Sequence, residues 1–518
     1  MDIKENRGPA ETPSTPTRRT NIANIINMDV DIVMDKFWPG YNPDGTKRES
    51  SAERGMLYRS ESGISTPLPV PNVYQPPAHQ YPGLDINQSS TGVIWTTERA
   101  AEKGFTYQDP TWANLGQGAP EVGDIPGCFE RPDNIDISIN TREYAPTSGL
   151  TDLRKAVANL YNEEYRQDKA SKYTYENVCI VPGGRAGLIR IAAILKDCYM
   201  SFFFPDYTAY SEMLSLFKNF APIPVPLDDS DNYQVHLDII ESELNRGVSA
   251  LLTSNPRNPT GQALRGADLK RLQDMCRKKC LLIMDEFYSR YNYEDGCNGE
   301  SISCCGNIED VNVDPVLILD GLTKAFRLPG WRICWILGPK KYINALASAG
   351  SYLDGGGNAP FQAAAIPMLE PSLVRKEMTA LQRHFVMKRD YCIDRLTKMG
   401  FVFKKIPTST FYLWVDLSKL PGKLSNTLGF FQECLKEKVI VVPGIFFDLN
   451  PLARRELDDS PYYHFVRLSY GPDMDALKLG MDGIEKVIQK HTLSPKIFDK
   501  KLNLADEPAR AESPVPKR

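Results

Sequence analysis

The sequence predicts an α/β fold: a large domain with a mainly parallel sheet flanked by helices, plus a smaller α+β domain. Short apolar, β-rich runs alternate with stretches of helical periodicity between about residues 178 and 337, a pattern that builds parallel sheets covered on both faces. Beyond about residue 370 the pattern gives way to one long helix-like stretch and a few separated strands. Polar and charged residues also gather just after the apolar runs, at the carboxyl edge where open α/β sheets bind ligands.

Taken in order, residues 1–90 are rich in Pro, Ser, Thr and Asn ("PSTPTRRT", "TPLPVPNVYQPPAHQYPG"), with only the short apolar "IANIINMDVDIVM", and are expected to be a largely disordered extension. Residues 91–140 are expected to associate with the small domain. In "SGLTDLRKAVANLYNEEY" Thr151 reads as an N-cap, with Leu153, Val157, Leu160 and Tyr161 on one packing face. The strand-then-helix pairs follow: "NVCIV" and "AGLIRIAAIL", "SFFF" and "YSEMLSLF", "ALLTS" and "DLKRLQDMC", then the runs "LLIMD", "VLILD" and "ICWIL". They place a large ligand-binding domain over 141–370. "FYLWVDL", "HFVRLSY" and "MDALKLGMDGIEKVI" form the small domain over 371–490, and 491–518 reads as a polar tail.

Bulk composition narrows the function. Among 518 residues, 42% are hydrophobic, and no run of about 18 apolar residues could cross a bilayer. A net charge of −4 supplies no basic field for nucleic acid or anionic lipid, so neither partner is expected. The 11 cysteines are scattered and odd in number, and the N-terminus lacks an apolar leader core, so a cytoplasmic location is expected. The five histidines are far apart in sequence, and Cys297, Cys304 and Cys305 lack paired spacing, so no metal is expected. Those cysteines read as ordinary thiols of an insertion at the site rim.

Four stretches carry chemistry. In "VPGGRAGLIRI" the Gly183-Gly184 turn opens a helix near Arg185, whose free amides and dipole suit an anion such as phosphate, or mark a plain strand-to-helix turn. In "TSNPRNPTGQ" two Asn-Pro steps stiffen the backbone and would fix the direction of the Asn258 amide, or form an ordinary turn. "LLIMDEFYSRY" ends a buried run on Asp285, a carboxylate that needs a partner, structural or functional. "VLILDGLTKAFRLPGWR" projects Lys324 from the turn after a strand, near the cationic Arg332; such a lysine is a surface residue or a reactive amine of lowered pKa. All four follow strands and so share one sheet edge. Together they supply a phosphate cradle, an aimed amide, a buried carboxylate and a reactive amine, the parts of a pyridoxal-phosphate site.

Over about residues 110–490 the chain resembles a class I/II aminotransferase of the pyridoxal-phosphate-dependent fold type I, by "NPRNPTG", "DEFY" and "GLTKAFRLPGWR" in the family's order and spacing. The resemblance implies that Lys324 attaches pyridoxal 5'-phosphate covalently, that Asp285 pairs with its ring nitrogen, and that Asn258 and Tyr288 hydrogen-bond its phenolic oxygen. It implies that Thr323, Arg332 and the amides of Gly184 and Arg185 hold the phosphate, that Tyr207 stacks on the ring, and that Arg467 and Gly118 receive the substrate α-carboxylate. Tyr144 would reach the phosphate of a neighbouring subunit, implying a homodimer with shared sites. The implied activity is ping-pong transfer of an amino group between an amino acid and a 2-oxo acid. Elimination or ring closure like that of 1-aminocyclopropane-1-carboxylate synthase shares the same Cα deprotonation. A DNA-binding regulator with an aminotransferase-like domain would need a basic helix-turn-helix, which residues 1–90 do not show. The chain departs from the family at Gly321, where relatives often have serine, and at Cys334, where they often have glycine. The first departure predicts looser phosphate binding unless Arg185 compensates.

Overall fold

The computed structural model describes residues 92–492, apart from 218, 295, 452–454 and 456–458. The expected extension 1–90, and the expected tail beyond 492, lie outside the described residues.

Seven strands form the main sheet: β2 (Val178–Val181), β3 (Cys198–Phe204), β4 (Phe220–Pro226), β5 (Ala250–Ser254), β6 (Leu281–Asp285), β7 (Val316–Gly321) and β8 (Cys334–Leu337). A short preceding strand, β1 (Ala113–Asn114), lies elsewhere. The order across the sheet is β2-β8-β7-β6-β5-β3-β4, and only β8 runs antiparallel to its neighbours. Strands β5 to β8 are buried along their whole length, which matches runs without polar alternation and helices on both faces. The reversed strand follows from the connection: β7 and β8 are joined by a loop of 12 residues, 322–333, without the crossover helix that a parallel return requires.

One strand of the main sheet has no counterpart among the expected runs. β4 reads FAPIPVP, and its three prolines argue against a strand interior. The topology removes the conflict, because β4 is an edge strand paired only with β3. Pro222, Pro224 and Pro226 alternate, so their missing N–H groups all fall on one edge and leave the other free to pair.

The helix Thr151–Tyr165 begins where expected, with Leu153, Val157, Leu160 and Tyr161 buried. Thr151 is not its cap, however. Leu150 holds that position with no side-chain cap, and its amide donates to Gln362 Oε1 at 2.8 Å. A distant glutamine thus satisfies one of the free amides at the helix entrance.

The C-terminal part is built on the 28-residue helix Pro371–Lys398 and an antiparallel sheet of β9 (Tyr412–Asp416), β11 (Val442–Pro443) and β12 (Phe465–Ser469), in the order β11-β12-β9. β10 (Val439–Ile440) pairs with β1, tying the segment after residue 110 to the C-terminal part. Glu121 strengthens that tie: it accepts from His384 Nε2 at 2.6 Å and from the fully buried Lys388 Nζ at 2.5 Å, both on the long helix. Cys304 and Cys305 correct the expectation of thiols at the site rim. Both are fully buried, and the Cys304 amide donates to Glu286 Oε1 at 2.8 Å behind β6.

Candidate active site

Because β2, β3, β5, β6 and β7 run parallel, their carboxyl ends meet at one edge, and the loops leaving them carry Gly183-Gly184, Tyr207, Asn258, Tyr288 and Lys324. They surround a cavity of about 590 Å³. Every site residue expected from the sequence lines it except Tyr144. Tyr144 lies on the preceding loop with its side chain 93% exposed.

Lys324 Nζ donates to the Gly118 carbonyl and lies 5.8 Å from the centre of the Tyr288 ring. Withdrawal from water, and then the nearby Arg467 guanidinium, lower its pKa from 10.5 to about 8, while Asp285 acts in the opposite direction. Asp285 is buried at the end of β6 and accepts a hydrogen bond of 2.7 Å from the Tyr210 hydroxyl. Burial raises its carboxyl to about 6, and the Tyr210 hydrogen bond limits the rise. A carboxylate so placed gains from any cation that enters the cavity beside it.

The helix Gly184–Ile194 points its free amides at the cavity. Gly183, at φ 103°, caps it, and a Cβ there would stand 1.8 Å from Arg332 Nη2. Only glycine allows the Arg332 guanidinium to close on the helix start. Arg332 itself adopts φ 58° after the Pro329-Gly330 step, the bend that returns it to the site. Thr323 also lines the cavity. Arg185 donates through Nε to the Tyr207 hydroxyl at 3.1 Å.

Opposite lies Arg467 of β12, which is 1% exposed. Its Nη1 donates to Asn258 Oδ1 at 3.1 Å and its Nη2 to the Gly116 carbonyl at 2.7 Å. Its Nε is buried with no hydrogen-bond partner in the protein. The ring of Tyr412 lies 4.1 Å beneath the guanidinium. Because Arg467 occupies Asn258 Oδ1, the amide NH₂ is what Asn258 offers the cavity.

A family profile described as aminotransferase class I and II matches residues 110–480. The chain belongs to that family. It is 26% identical over 430 residues to an aspartate aminotransferase of Pinus pinaster, covering 78% of this chain and 81% of that protein. It is 26% identical over 384 residues to aromatic-amino-acid aminotransferase 2 of Thermococcus litoralis, covering 73% and 92%. Its fold matches that of an aspartate aminotransferase from Thermus thermophilus with maleate, at a TM-score of 0.62 and 22% identity over 77% of this chain and 97% of that one. The chain is thus a transaminase with the fold type I architecture.

The cavity residues fit pyridoxal phosphate by their chemistry. The Gly183–Arg332 corner is an anion cradle that a side chain at 183 would fill, and a buried carboxylate and an amine of lowered pKa stand in the same cavity. Sequence reasoning missed Tyr412, whose hydroxyl meets that of Tyr288 at 2.7 Å; a Cβ on Gly118 would lie 3.3 Å from it. The tyrosine sits in "FYLWVDL", where any core strand would carry an aromatic. Its cavity-facing role depends on its meeting Tyr288, 124 residues away in sequence, which no local pattern encodes.

Proposed function

We propose that this aminotransferase uses pyridoxal 5'-phosphate, attached through Lys324, to move an amino group from an amino acid to a 2-oxo acid by a ping-pong mechanism. Lys324 carries the reading: an amine lowered to about 8 stands where the Asp285 carboxyl, the Asn258 amide and the Arg332 cradle converge. When bound, the cofactor supplies an electron sink for the pair left at the substrate Cα.

In this reading Arg332, Thr323 and the amides of Gly184 and Arg185 hold the phosphate. Asp285 holds a proton on the ring nitrogen, Tyr207 stacks against the ring, and the Asn258 NH₂ and Tyr288 hydroxyl donate to its phenolic oxygen. Arg467 receives the substrate α-carboxylate against the Gly118 backbone, and its partnerless Nε supports that role. Lys324 Nζ would act as the general base that takes the substrate Cα proton and as the acid that returns it. Overall, the amino acid would leave as its 2-oxo acid, and the retained amino group would pass to a second 2-oxo acid.

The reading extends to a cytoplasmic homodimer, with 141–370 as the cofactor-binding domain and 371–490 as the small one. Ile137, Ile139 and Tyr144 support the dimer, being 59%, 75% and 93% exposed on one segment, as apolar side chains awaiting a second subunit would be. All eleven cysteines are free, which supports a reducing compartment, and among the described residues no helix is long and apolar enough to cross a membrane. Reduction of the loaded enzyme with borohydride, followed by peptide mass mapping, is expected to place the cofactor on Lys324; attachment at another lysine would overturn the proposal.

A further inference from the structure

The two departures from the family pattern, Gly321 and Cys334, are one feature. They are register partners across the antiparallel β7–β8 pair. A Cβ on Gly321 would lie 2.6 Å from Cys334 Cα and 2.7 Å from its Sγ, so the close approach of the two strands leaves no room for a side chain at 321. The Cys334 side chain lies in the volume beside Gly321. Its Sγ lies 3.2 Å from Thr323 Oγ1.

The direction of that hydrogen bond matters. Thr323 has one hydroxyl proton. If it donates to sulfur, the cavity corner meets only oxygen lone pairs, which repel an anion. If the thiol donates, the hydroxyl proton is free to point at one. Cys334 is fully buried, and burial pushes its thiol up to about 12, so the sulfur keeps its proton at neutral pH.

We infer that Cys334 is a positioning residue for the phosphate corner: its thiol donates to Thr323 Oγ1, turns the Thr323 hydroxyl proton toward the anion, and so offsets the serine hydroxyl missing at Gly321. This rests on the cavity being a pyridoxal-phosphate site. Compensation in this reading comes from across the sheet.

The test is the affinity of the cofactor-free enzyme for pyridoxal phosphate, read by quenching of protein fluorescence, independently of turnover. Cys334→Ala is expected to weaken binding about tenfold, the loss of one hydrogen bond of ordinary strength. Cys334→Ser, which keeps a donor of similar size, is expected to stay close to wild type. In a Thr323→Val background Cys334→Ala is expected to add little, because the cysteine acts through the threonine. Should the alanine variant fail to fold, Cys334→Val, which fills the space without a donor, takes its place with the same expected loss. Unchanged affinity in the donor-less variant, or additive losses with Thr323→Val, would overturn the inference. Failure of the wild-type protein itself to bind the cofactor would instead overturn the proposed function.

Discussion

The lowered pKa of Lys324 has a measurable consequence. A fall from 10.5 to about 8 disfavours the charged amine by about 3 kcal/mol. At pH 7 it raises the neutral fraction from about 0.03% to about 9%, roughly 300-fold. Competitive acetylation of the cofactor-free enzyme with acetic anhydride, scored for Lys324 by mass spectrometry across pH, reads that fraction directly. Its reactivity is expected to rise with a midpoint near 8, where exposed lysines titrate near 10.4. Arg467 pushes the value down and Asp285 pulls it up, so Arg467→Gln should move the midpoint upward and Asp285→Asn downward. Stability follows the same sign. The folded-state value lies below the unfolded one, so the half-buried cation disfavours the cofactor-free fold below pH 8, and that penalty fades as pH rises from about 8 toward 10.5. A midpoint near 10, or shifts of the opposite sign in the two variants, would refute the electrostatic reasoning.

The site and scaffold can be probed separately. In the loaded enzyme, Asp285→Asn is expected to leave Lys324 able to attach the cofactor but to lower kcat by about 10²–10³-fold, the scale for losing one preorganised electrostatic partner; a loss under about threefold would remove the ring-nitrogen role. Glu121→Gln strands the fully buried Lys388 without its charge partner and is expected to cost about 3–5 kcal/mol in urea unfolding. Although burial pushes Glu121 up, the hydrogen bond from His384 and the charge of Lys388 hold it below its usual range. Its contribution is therefore present above about pH 4.5 and lost on acidification. A variant with wild-type stability would show that the tie between the 115–125 segment and the long helix is not structural.

The chemistry of the cavity was legible where a strand, a turn and a reactive side chain are contiguous. Lys324, Asp285, Asn258 and the Gly183-Gly184 turn each sit within a few residues of a strand end, and parallel pairing alone brings them to one edge. What depends on distant pairing was not legible. The strand character of FAPIPVP requires knowing that β4 lies at an edge, and the orientation of β8 depends on a loop too short for a crossover. Tyr412 becomes a cavity residue only when β9 packs home. Gly321 illustrates the limit most sharply. As a single letter it reads as a lost hydroxyl, whereas across the sheet it is the space that Cys334 occupies. Nor does spacing reveal that Glu121 meets Lys388, 267 residues away.

The half-reaction tests transamination most directly. Enzyme loaded with pyridoxal phosphate and mixed with a reactive amino acid, with no 2-oxo acid present, is predicted to release one equivalent of 2-oxo acid per subunit and stop, with the amino group retained until a 2-oxo acid is added. Continued turnover with release of ammonia, or a cyclised product, would contradict it and assign the same Cα deprotonation to elimination or ring closure.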